Sequence, residues 1–165
     1  MTRGVFSPKS FHITFDRTRS DPPAPPPVQS ALTAIMTIKS PEGYHALKAL
    51  LVKVYPNVTK ALGEVGTVHF ARFVFLENNT KLAIITSYDG SFEAYINDFI
   101  EQVGELFDAM LKHMQGAPPT PVRKHRQEFI EYVRNVNVMP AVPFYSAYPA
   151  LTVQNILFQE AQADE

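Results

Sequence analysis

The sequence predicts one α+β domain, an antiparallel sheet with helices on one face, preceded by an extended arm. Three observations predict it. Short apolar runs rich in β-branched and aromatic residues recur at residues 31–39, 68–76 and 81–88. Longer stretches with an apolar residue every three or four positions stand between and after them. Proline is concentrated at one end, with six of the 14 prolines in the first 27 residues.

The arm comes first. Residues 21–27 (DPPAPPP) exclude helix and central strand, because proline fixes φ and lacks the N–H. The tract is expected as a polyproline-like spacer, which divides the chain into an arm, residues 1–30, and a domain, residues 31–165. Within the arm, Phe11, Ile13 and Phe15 alternate with His12, Thr14 and Asp16. That pattern reads as a short strand docking on a partner, as an unstructured tail, or as a proline-rich ligand for an SH3-like module.

Residues 31–39 (ALTAIMTIK) read as the first strand. Ser40-Pro41-Glu42 is a helix start, with a capping hydroxyl, a proline in the first turn and an acid behind it. Tyr44, Leu47, Leu51, Val54, Val58 and Leu62 form its apolar stripe, and Pro56 is expected to end or kink it near Tyr55. Val68–Leu76 (VHFARFVFL) is the plainest strand, and residues 77–80 (ENNT) supply turn chemistry before a returning strand at 81–88. Ser91 is placed to cap a helix over 92–115, which Gly116 and Pro118-Pro119 stop. A further helix fits 122–136, with Phe129, Ile130 and Val133 inward. A fourth strand fits 143–148 (PFYSAY), and a short terminal helix 151–161. This order is the split βαβ, ferredoxin-like pattern with extra C-terminal helices.

The second strand has no polar side. Val68, Phe70, Arg72, Val74 and Leu76 alternate with His69, Ala71, Phe73 and Phe75. Helices cover one face of such a sheet, and leaving the other wet costs roughly 1.5–3 kcal/mol per large apolar side chain. A second copy or a ligand must cover it, so a homodimer with facing sheets is expected, with a cavity between sheet and helices or between subunits. Pairing the hairpin about Asn78-Asn79 sets Phe75 by Leu82, Phe73 by Ile84, Ala71 by Thr86 and His69 by Tyr88. Arg72 then shares a face with Asp89, and an ion pair between them is expected.

Composition removes several functions. The chain has 0 Cys, which excludes disulfides, thiolate metal sites and a cysteine nucleophile, and suits the reducing cytoplasm. Its net charge of -1 argues against nucleic acid as a general partner. The longest apolar stretch, residues 31–38, is far short of the ~20 residues that span a bilayer, and no signal-peptide core is read at the N-terminus. No dinucleotide fingerprint, phosphate loop, nucleophile elbow or HExxH is present.

The segments 31–38, VHFARFVFL at 68–76, SYDGSFEAYINDF at 87–99 and YSAYP at 145–149 carry a resemblance. Together they resemble an uncharacterised branch of the dimeric α+β barrel superfamily, some of whose members are linked with dye-decolourising-type haem peroxidases. The resemblance runs from residue 31 to about 155. It implies a dimeric barrel, and it raises haem as a cofactor and oxidoreductase chemistry, haem-type or cofactor-free. Those peroxidase chains are much longer, so their proximal and distal haem residues are not carried over.

The candidate site follows from the residues. His69 and Tyr88 are the candidate catalytic pair, with His69 as axial ligand or acid–base group. A hydrogen-bonded core histidine is the competing reading. Arg72, Phe73, Phe75 and Asp89 are the candidate ligand-binding residues, Arg72 facing either Asp89 or an anionic ligand. His113 sits at a helix boundary, and Asp98, Glu101, Glu105 and Asp108 read as a solvated helix face. Two functions remain. One is a dimeric protein binding a small hydrophobic or anionic ligand. The other is a non-catalytic interaction module that docks through its arm onto a larger, redox partner.

Overall fold

The structure, a computed structural model, describes residues 28–163. The arm strand expected at Phe11 to Phe15 and the polyproline tract lie outside them. The order is β1 (Gln29–Thr37), α1 (Pro41–Val65), β2 (Val68–Leu76), β3 (Lys81–Asp89), α2 (Phe92–Leu111), α3 (Arg126–Val136) and α4 (Val153–Ala163). The three strands form an antiparallel sheet in the order β1-β3-β2. The chain is therefore α+β and compatible with a ferredoxin-like fold.

Local chemistry sets the boundaries. The Ser40 hydroxyl accepts from the Gly43 N–H at 3.2 Å, and Ser91 accepts from the Ala94 N–H at 3.2 Å, as their positions predicted. Glu77, Asn78 and Asn79 turn the β2–β3 hairpin with φ of 49, 52 and 66°. Gly66 ends α1 at φ 68°, its N–H reaching the Leu62 carbonyl.

α1 runs through Pro56 instead of ending at Tyr55. Tyr55, Pro56 and Asn57 are exposed, as is Val52, whose carbonyl loses its helical N–H partner at Pro56, while Val58 beyond is buried. Continuing the stripe to Val58 and Leu62 outweighs a local loss of about 3 kcal/mol. α2 stops at Leu111 and breaks at Val103, whose φ of -129° is non-helical. Beside the break Gly104 is buried, and a Cβ there would lie 3.4 Å from Val122.

The strand expected at 143–148 does not form. The outer edge of β1 is met instead by Asn137 and Val138. Asn137 bridges antiparallel to Ala34, and the Val138 N–H donates to the Thr33 carbonyl at 2.8 Å. Pro140, Pro143 and Pro149 remove the donors a longer ladder would need.

One sheet face packs on the helices. Leu32, Ala34, Met36, Leu82, Ile84 and Tyr88 join Tyr95, Phe99, Ile100 and Phe129 in a single core. Tyr95 stacks on Tyr88 at 3.7 Å and donates to the Thr86 hydroxyl at 2.8 Å. On the other face Thr33, Ile35, Val74, Leu76 and Ile85 are half-buried and lie outside that core. Tyr95→Phe leaves the buried Thr86 hydroxyl without its donor. It is expected to lower unfolding free energy by about 1–3 kcal/mol in urea denaturation.

Candidate functional site

β2 is an edge strand: β3 pairs one side, and among the described residues no strand pairs the other. It ends the sheet with apolar side chains on both faces. α1 flanks it on the helix side, and α4 closes the end near Gly66. Between the three lies a groove of about 1020 Å³. Leu51, Tyr55 and Leu62 line it from α1, Phe70, Phe73 and Phe75 from β2, and Ile156 and Leu157 from α4. Phe70 is 69% exposed, Val52 72%, Tyr55 68% and Leu157 51%. A second cavity, inside the core beside Tyr132 and Val133, measures about 30 Å³, room for a water and no more. Burial pushes the Tyr132 hydroxyl up to about 12.

The hairpin register is as expected at Phe75↔Leu82, Phe73↔Ile84 and Ala71↔Thr86. It departs at His69. Val68, not His69, pairs with Tyr88, and Phe70 pairs with Ser87, so His69 is the extra residue of a β-bulge. The bulge carries His69 away from Tyr88 and onto Asp89. His69 Nε2 lies 2.8 Å from Asp89 Oδ1, with the two side chains 5% and 10% exposed. Asp89 Oδ2 accepts the Val153 N–H at 2.8 Å, at the first turn of α4. One carboxylate thus ties β2, β3 and α4 together.

The candidate residues therefore separate. His69, Arg72, Phe73 and Phe75 line the groove; Asp89 stands behind His69; Tyr88 does not reach it. Tyr88 lies on the helix face against Tyr95, where burial raises its pKa against an opposing contact with the Ser30 hydroxyl. It makes no pair with His69. The expected Arg72–Asp89 ion pair is replaced by His69–Asp89, and Arg72 forms no ion pair with any described residue. Phe75 meets Tyr44 edge-on at 4.8 Å.

Haem fits this donor set poorly. Among the described residues His69 is the one groove-lining histidine, its Nε2 is engaged by Asp89, and its ring is nearly closed to solvent. Among the described residues no three His, Cys, Asp or Glu side chains gather as metal ligands. The acidic face of α2 is held by arginines: Arg126 hydrogen-bonds Glu101 and keeps its carboxyl below the usual range. Arg134 pairs with Glu93. No described helix is long and apolar enough to cross a membrane.

Sequence reasoning missed α4, Lys48 and the Val153 amide as parts of the site. The width of the α1 stripe was the available signal, since Leu51, Tyr55 and Leu62 add apolar surface beside the core-facing Leu47 and Val58. Compared with protein-family models, curated proteins and solved structures, the chain matches none.

Asp89→Ala removes both hydrogen bonds at once. The expected result is a stability loss of about 1–3 kcal/mol and faster amide exchange at Val153 to Ile156, read by hydrogen–deuterium exchange. Unchanged exchange there contradicts the tether.

Proposed function

We propose that this protein binds a small apolar ligand in the groove between α1, β2 and α4, and that it works as a homodimer paired over the open sheet face. The observation that carries the reading is the bare apolar lining. Val52, Tyr55, Phe70 and Leu157 stand in water around one concavity, where a fully exposed large side chain forgoes roughly 1.5–3 kcal/mol of burial. A ligand recovers part of it, less the cost of association. The groove's volume is of the size that holds small molecules, at about 300–1,000 Å³ and slightly above.

The dimer rests on the second face. Thr33, Ile35, Val74, Leu76 and Ile85 present a β-branched and aliphatic surface that α1 and α2 leave uncovered. In a dimeric α+β barrel such faces meet, and the strand order β1-β3-β2 with Asn137 beside β1 is compatible with that arrangement. The reading is of a binding protein: His69 is tied at Nε2 to Asp89 and nearly closed to solvent.

Two measurements test it. A neutral solvatochromic dye such as Nile red is expected to bind with a blue-shifted emission. The exposed-site variants Val52→Arg and Leu157→Arg are expected to weaken it at least about tenfold, some 1.4 kcal/mol. No saturable binding removes the groove from the account. Light scattering at micromolar concentration is expected to give twice the chain mass for the native protein and the single chain mass for Ile85→Lys. A monomeric native protein ends the dimer reading.

A further inference from the structure

Among the described residues the charged side chains that line the groove have one sign: Lys48 and Arg72 line it, and no Asp or Glu does. Neither cation forms an ion pair with another described residue. They also share one end. β1 and β2 both run antiparallel to β3, so α1 returns antiparallel to β2. Tyr44, early in α1, touches Phe75, late in β2; Lys48 lies one helical turn beyond Tyr44, near the level of Arg72, which pairs with Ile85 on the sheet face away from α1 and lines the groove from the strand's free edge. The apolar end is opposite, at Leu62 and Ile156. From Lys48 to Gly63 the helix extends about 22 Å at ~1.5 Å per residue.

We infer that the ligand is a long-chain carboxylate, its head between Lys48 and Arg72 and its chain running along α1 toward α4. The inference rests on the groove reading of the preceding subsection and specifies its ligand. The shape is long and apolar, which suits an extended chain better than a compact ring. The planar Arg72 guanidinium matches a carboxylate fork, and Lys48 adds a point charge from the opposite wall. Neither cation has an ion-pair partner among the described residues to leave before it meets the ligand.

The test titrates the full-length protein with a fluorescent polyene fatty acid, cis-parinaric acid, and with its methyl ester. The acid is expected to bind at least tenfold tighter than the ester, and to lose that advantage as salt is raised, because exposed charges are screened. In the Lys48→Met/Arg72→Met double variant, with melting temperature as the check on folding, acid and ester are expected to bind alike. Equal binding of acid and ester to the native protein overturns the carboxylate reading and leaves the apolar groove standing. A preference retained in the double variant overturns the assignment of the head to these two residues. Failure of acid, ester and neutral dye alike removes the groove itself.

Discussion

An edge strand without a polar side is the constraint on which the rest of this structure depends. β2 has β3 on one flank and, among the described residues, no strand on the other, yet its sequence is that of a buried strand. Edge strands ordinarily carry charge or proline to discourage pairing. Here Arg72 is the one charged side chain between Phe70 and Leu76. α1 shields part of the helix side through the Tyr44–Phe75 contact, and α4 approaches at the His69 end. What neither covers is the groove and the open sheet face. The proposed ligand and the proposed dimer are two responses to one surplus of apolar surface.

The bulge at His69 decides how that surplus is organised. In regular alternation His69 would have pointed at the helices, beside Tyr88; Phe70, paired with Ser87, keeps its place on the opposite face. The extra residue turns His69 toward Asp89, and leaves Tyr88 to stack on Tyr95 in the core. Asp89 then has one oxygen for the histidine and one for the α4 amide. The Gln29 side chain does similar work nearby, donating to the carbonyls of Tyr148 and Leu151 and accepting from Ser146. Side chains from β1 and β3 thereby anchor a C-terminal segment whose prolines keep it from forming a ladder.

Much of the fold was legible because it follows from local rules. The caps at Ser40 and Ser91, the Asn78-Asn79 turn and three of the hairpin pairs depend on residues close in sequence. Pro56 misled because its cost is local, whereas the burial of Val58 and Leu62 that outweighs it is tertiary. PFYSAY misled for the opposite reason: its composition suits a strand, but the prolines around it deny the edge its donors. The bulge left no mark in the alternation of VHFARFVFL, so His69 was set beside Tyr88, one residue out of place; the Arg72–Asp89 pair failed for another reason, since Arg72 lies opposite Ile85, four residues from Asp89 along β3. Phe73, Phe75, His69 and Arg72 were found because they sit on the strand whose apolar excess was visible. Lys48 and α4 were not, because only the folded chain brings them to it.

The most direct measurement is crystallographic. Crystals of the full-length protein grown with a terminally brominated long-chain carboxylate locate the bromine by anomalous scattering. The account predicts one peak per chain at the apolar end of the groove, among Leu62, Ile156 and Leu157. A bromine bound elsewhere, or protein side chains closing the space between α1 and β2 with no ligand there, would contradict it.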